Sequence, residues 1–228
     1  MSRDLEVEIP VSEGRLGGTL VIPNQAQALV LFAHGGGSSR SSPRNQYVAE
    51  VLRQGGFGTL LLDLLTAEEQ RLDEAGGRLR ADIARLAGRV VAATDWLRDE
   101  WLLPSPLLGY FGSSTGAAAA LVAAAKRPAT VGAIVSRGGR AELAAGVLED
   151  VRAPTLFIVG ANDHDAAARN QEALASLGAR HKDLRIIEGA SHLFEEPGAL
   201  DEVADLAREW FEQFLMMQPA VQPGADAR

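Results

Sequence analysis

The chain has 228 residues, 46% of them hydrophobic and 23% charged, a net charge of −8 and no cysteine. That is enough apolar chain for one α/β domain with a full core. It excludes disulfides, thiolate catalysis and cysteine-based zinc sites, and the acidic balance argues against general nucleic-acid binding, which needs a basic footprint. The start, MSRDLEVEIP, has no apolar signal core, and no apolar run approaches a membrane span. The expectation is a cytoplasmic protein, monomer or homodimer, that acts on a small molecule with no nucleic-acid or membrane partner.

Short apolar runs rich in β-formers lie at 5–9, 16–22, 28–34, 58–63, 106–112, 131–136, 155–160 and 184–189. The first two have no helical pattern between them and read as an antiparallel hairpin. Helical patterns follow. From about Arg78 to Trp101, Leu79, Ile83, Leu86, Val90 and Leu97 recur at helical spacing against a charged face. Thr115–Lys126 is almost all alanine, which lets a helix lie close to a sheet. Further helices read through Asp165–Leu177 and Leu200–Phe214, and Trp96, Trp101 and Trp210 fall on helices as packing residues. Strand–helix–strand order from the third run onward predicts a mostly parallel sheet of about eight strands with helices on both faces. The domain spans 1–215, and 216–228 reads as a flexible tail. Segments 64–78 and 136–155 are too short for a large cap.

In such sheets, sites form beyond the carboxyl ends of the strands. The third run ends in His34-Gly35-Gly36-Gly37, a loop whose glycines allow close backbone approach or simply flexibility. The fifth ends in Gly112-Ser113-Ser114-Thr115-Gly116, which fits G-x-S-x-G in the strand–turn–helix context the pattern needs. The register singles out Ser114. Ser113, flanked at those positions by Phe111 and Thr115, reads as a turn residue.

A serine nucleophile requires a base, and the base an orienting acid. Of the four histidines, His34 belongs to the glycine loop, His164 is tied to the acid-bearing loop and His181 precedes the last strand. His192 follows that strand, at the correct end. The acid candidates are Asp163, then Asp165, which suits a helix cap, then Asp63. Glu195 and Glu196 read as a solvated pair. The residue after the nucleophile, Thr115, would present one backbone N–H to an oxyanion at a helix N-terminus.

HGGG after strand three, GSSTG after strand five, Asp after strand seven and His after strand eight resemble the α/β-hydrolase fold, including its chain order Ser…Asp…His. More narrowly, FAHGGGSSRSSPRN, DLLT, AATDWL and VRAPTLFIVGANDHDAAARNQEAL are similar to dienelactone-hydrolase-like domains, some of which occur fused to phosphoribosyltransferases. Dienelactone hydrolases proper use a cysteine nucleophile, and this chain has none. The resemblance therefore implies a serine hydrolase of small carboxylic esters with the triad Ser114, Asp163 and His192, no metal and no cofactor. It also implies a second oxyanion donor at Gly36, with Gly35 and Gly37 beside the substrate. Arg40, Arg44 and Arg137 sit near the same loops. They read either as solvated surface or as a site for a substrate carboxylate or phosphate. The same triad would serve a lactonase, thioesterase, acyltransferase or perhydrolase, and a non-catalytic binding protein on this fold is the alternative from another class.

Overall fold

The structure is a computed structural model that describes residues 3–24, 26–100 and 108–216. Eight strands form one sheet: β1 (Arg3–Val11), β2 (Gly14–Ile22), β3 (Ala28–Ala33), β4 (Phe57–Leu62), β5 (Leu108–Ser113), β6 (Val131–Arg137), β7 (Thr155–Gly160) and β8 (Lys182–Ile187). Their spatial order is β1-β2-β4-β3-β5-β6-β7-β8. β1 and β2 close a hairpin over Ser12-Glu13, β2 runs antiparallel to β4, and the remaining pairs are parallel. This is the α/β-hydrolase architecture, and the described residues include no large cap.

The period-2 alternation of strand side chains sorts the core into two layers. Leu29, Leu31 and Ala33 of β3 face one layer with Leu86, Val90 and Leu97 of α3 (Ile83–Glu100) and the alanines of α4 (Thr115–Lys126). Val30 and Phe32 face the other, with Val48 and Leu52 of α1 (Pro43–Gln54) and Val203, Ala207 and Phe211 of α6 (Ala199–Phe211). Strands β3 to β7 are buried along their whole length, as continuous apolar runs require. β4 and β5 flank β3 on opposite sides, so the loops after β3 and β5 meet at a topological switch point.

Several boundaries differ from the sequence reading. α1 carries a Ser-Pro start and a Gly-Gly stop, cues the strand pattern overshadowed. α2 (Ala67–Glu74) occupies part of the short 64–78 segment and begins with a capping box in which Thr66 and Glu69 bond each other's backbone N–H groups. The helix expected from Arg78 starts at Ile83. A 3₁₀ turn at Leu79–Ala81 precedes it, and the Asp82 carboxylate accepts from the Arg85 N–H at 3.0 Å. α5 spans His164–Ser176, and α6 continues into a π-turn at Glu212–Met216. Ser113 is the buried last residue of β5, not a turn residue. Trp96 and Trp210 pack against the core layers. Trp101 lies outside the described residues, as does the expected tail apart from Met216. Among the described residues no helix is long and apolar enough to cross a membrane.

A buried charge network ties the hairpin to α2 and α3. Arg89 reaches Glu13 at 2.7 Å and Glu69 at 2.8 Å, and Arg85 shares Glu69 at 2.7 Å. Arg89→Met should lower stability, because it leaves the buried Glu69 carboxylate with Arg85 as its remaining partner. Urea denaturation measures this. Glu13 is held down to about 2, first by the Ser12 hydroxyl and then by Arg89. Because the folded carboxyl titrates below its unfolded value, its contribution is complete above about pH 5 and is lost as pH falls toward 2.

Candidate active site

The turn at the end of β5 is tight. Ser114 has φ 50° and ψ −122°, a conformation that L-residues rarely adopt and that the surroundings must impose. They do so with backbone bonds. The Ser114 N–H donates to the Arg137 carbonyl at 3.3 Å, and its own carbonyl accepts from Ala117 and Arg140 N–H, each at 3.1 Å. The two flanking glycines are required by space. A Cβ at Gly112 would lie 2.4 Å from Ala117 Cα, and one at Gly116 would lie 2.2 Å from the Ala33 carbonyl oxygen. The HGGG loop reaches the same turn, since a Cβ on Gly35 would come within 2.8 Å of Ser114 Cβ.

Asp163 stands between β7 and α5 and divides its carboxylate. Oδ1 caps α5 by accepting from the Ala166 N–H at 3.3 Å, and Oδ2 meets His192 Nδ1 at 2.6 Å. The loops after β7 and β8 are stitched by Asn162, whose N–H donates to the Ala190 carbonyl and whose amide donates to the Gly189 carbonyl. Asp165 lies in the first turn of α5 and is exposed. Asp63 is taken up by the Arg40 backbone and guanidinium.

His192 meets the serine turn across Arg137-Gly138. The Arg137 carbonyl holds the Ser114 N–H, and a Cβ on Gly138 would sit 3.4 Å from His192 Cε1 and Nδ1. Arg137 is a site candidate in the sequence, whereas the bridging role of its carbonyl and of Gly138 comes from the fold. The signal of this bridging segment is the Arg-Gly-Gly-Arg that ends β6, and buried Asn170 secures it by donating to the Gly139 carbonyl at 2.8 Å.

The Gly36 N–H donates to Thr115 Oγ1 at 2.9 Å, so the two oxyanion candidates face each other across the top of α4. α4 has no acidic residue in its first turn and its cap residue Ser114 makes no side-chain cap bond, so its N-terminal dipole is uncompensated there. Gly37 takes φ +77° and lines a groove of about 390 Å³ with Ser38, Ser41, Arg44, Gln70 and Arg80. Another groove, about 420 Å³, lies away from Ser114 beside Glu13 and Arg85.

His34 is buried and bridges two strand ends. Its Nδ1 bonds the Gly35 carbonyl and its Nε2 accepts from the Leu64 N–H. Burial pushes its pKa down, so it is neutral and committed. Arg40 pairs with Glu6 at 2.5 Å and Asp63 at 3.2 Å. Arg44 pairs with Glu195 at 2.7 Å. Among the described residues no cluster of three or more His, Asp or Glu side chains is placed to hold a metal.

The family model for the dienelactone hydrolase family matches residues 16–220. The chain belongs to that family. The dienelactone hydrolase of Anabaena variabilis, a solved structure, is 56% identical, superposes with a TM-score of 0.91, and is covered over 94% of this chain and 99% of its own. A putative phosphoribosyl transferase of Mycobacterium tuberculosis is 49% identical over 210 residues, 92% of this chain but 46% of that protein. The chain thus spans about half the length of the curated relatives it matches. Est1E of Butyrivibrio proteoclasticus, at 14% identity and a TM-score of 0.75 over 91% of this chain and 98% of its own, shares the fold.

Proposed function

We propose that this family member is a serine hydrolase of small carboxylic esters that works through an acyl-enzyme, as a cytoplasmic monomer or homodimer. The observation that carries the reading is the pairing of Asp163 Oδ2 with His192 Nδ1 at 2.6 Å, beside a serine held at positive φ. Ser114 Oγ attacks the ester carbonyl while His192 Nε2 takes its proton. Asp163 fixes the tautomer and stabilises the imidazolium. The Thr115 N–H and the Gly36 N–H, released from Thr115 Oγ1, receive the developing oxyanion, and Gly35 lets that loop close on the serine. His192 returns the proton to the leaving alcohol, and water repeats the sequence to free the acid. A thioester or lactone offers the same carbonyl, and an alcohol or peroxide acceptor in place of water would make the product a new ester or peracid.

The test is a panel of short to medium acyl esters, lactones and thioesters, with fluorophosphonate labelling of Ser114. Turnover without labelling of Ser114, or labelling without turnover of any acyl substrate, overturns the reading. Asp163→Asn should lower kcat by roughly 10³–10⁴-fold, because the amide favours the wrong imidazole tautomer. Steady-state kinetics on the best ester of the panel measures it.

A further inference from the structure

Two strands end the sheet, and their outer edges differ. β1 carries Asp4, Glu6 and Glu8 at alternate positions, and Pro10 near its end. Alternate residues share a face, so antiparallel pairing of β1 with a second β1 sets acid against acid. Proline and like charge both close an edge to further pairing. β8 has no proline and carries charges of both signs. Its register to β7 runs unbroken from Lys182 to Ile187, and Ile186 is 41% exposed. Among the described residues no strand lies beyond it.

The ladder to β7 fixes which backbone groups face out. The Thr155 N–H donates to the His181 carbonyl at 3.0 Å, and the Ala161 N–H to the Ile187 carbonyl at 2.9 Å. A parallel ladder repeats at alternate residues, so the odd-numbered residues of β8 turn their N–H and C=O groups to β7. Lys182, Leu184 and Ile186 turn theirs away. Asp183 covers part of this edge from within the chain. Its Oδ1 accepts from the Leu184 N–H at 2.9 Å, and its Oδ2 accepts from Arg185 Nε at 2.8 Å. Lys182 does not guard the edge, because its ammonium is drawn back to the Leu177 carbonyl at 2.7 Å, at the end of α5.

We propose that β8 is the interface of a symmetric homodimer, in which the β8 strands of two copies pair antiparallel about Leu184 and join both sheets into one. The outward groups admit only registers that oppose even-numbered residues to even-numbered ones. With Leu184 opposite Leu184, Lys182 stands opposite Ile186 and Asp183 opposite Arg185, and the two-fold axis repeats both pairs. Leu184 and Ile186 share the face of Leu174 of α5, where Ile186 packs on the Lys182 stem of the second copy. Asp183 and Arg185 share the opposite face with Ile187, where they form a cross-strand pair of opposite charge. Sliding the strands to the next admitted register in either direction sets Asp183 against Asp183 or Arg185 against Arg185, so charge selects one register. Asp183 exchanges bonds within its own chain for equivalent ones across the axis, as the Leu184 N–H passes to the Leu184 carbonyl of the second copy. The dimer is therefore concentration-dependent, with a dissociation constant on the order of micromolar. Nothing in this pairing depends on the hydrolase reading.

Sedimentation velocity tests it. The wild-type mass should rise from the 24.1 kDa of one chain toward its double between about 1 and 200 µM. Asp183→Arg and Arg185→Asp should each raise the dissociation constant about tenfold or more, since each sets like charges opposite at both symmetric positions. Mixed in equal amounts, the two variants should dimerise again, because every reversed charge then meets its opposite. The double reversal should dimerise as wild type does. In wild type, hydrogen exchange at the Leu184 and Ile186 amides should slow as concentration rises, while β1 amides do not change. A wild type that stays monomeric over the range overturns the proposal. So does a dimer that both single reversals leave intact, or a loss that neither the mixture nor the double reversal restores. Association that protects no β8 amide overturns it too, as does growth into polymers, which would join β8 to the β1 edge of the next copy. If a reversal variant does not fold, by circular dichroism, the amide exchange of wild type decides by the same criterion.

Discussion

Replacing Ser114 by alanine is expected to lower ester turnover at least a thousandfold while leaving the fold unchanged. The side chain removed is one oxygen. The turn that carries it is set by backbone bonds to Arg137, Ala117 and Arg140, none of which uses the hydroxyl. Alanine tolerates the φ of 50° no worse than serine does, so circular dichroism and the urea midpoint should barely move. The chemistry, by contrast, has no substitute. Without Oγ there is no acyl-enzyme, and His192 with Asp163 can only activate water from a geometry built for a covalent step. Residual rate would come from oxyanion donors and substrate binding alone. Retained turnover in pure Ser114→Ala protein would show that another nucleophile, or none, operates here.

Gly116→Ala is expected to lower stability by roughly 3 kcal/mol or more through the addition of a single methyl group. The new Cβ would stand 2.2 Å from the Ala33 carbonyl oxygen and 2.4 Å from that of His34. Both are backbone atoms at the end of β3, the central strand, which is bonded on either side to β4 and β5. Relief requires α4 to lift from the sheet, which also displaces Thr115 and the serine turn, so activity should fall with stability. Gly88→Ala is the matched control. It lies inside α3, its Cβ would meet nothing within 4 Å, and it needs no unusual φ. There the methyl should stabilise by about 0.5–1 kcal/mol through helix propensity. Opposite signs in urea denaturation for two Gly→Ala changes would isolate the steric term. A mild effect at Gly116 would mean the strand–helix contact is looser than these distances.

Much of the molecule is legible in one dimension because its signals are local. Alternating strand and helix patterns imply the parallel sheet, and the hairpin follows from the missing helix between the first two strands. Other local signals are weaker than the apolar runs: the Ser-Pro and Gly-Gly that bound α1, and the Thr66-x-x-Glu69 capping box of α2. Leu79 fits the helical spacing of α3 but lies in the preceding turn, because Asp82 caps the helix three residues later.

The sequence by itself determined the alternation of elements, the G-x-S-x-G register that separates Ser114 from Ser113, and the Ser…Asp…His order, since each depends on residues close together in the chain. The tertiary structure decided which of Asp163 and Asp165 meets His192. The two stand two residues apart, and only the stitching of the β7 and β8 loops turns one of them toward the imidazole. It also separated three arginines that look alike in sequence. Arg40 finds Glu6 only because β2 sets the β1 edge beside β4, and Arg44 finds Glu195 across 151 residues. Arg137 ends a strand enclosed on both sides, where the described residues supply no counter-charge. Charge pairing of this kind is fixed by sheet order and burial, which are sums over distant contacts that no local spacing encodes.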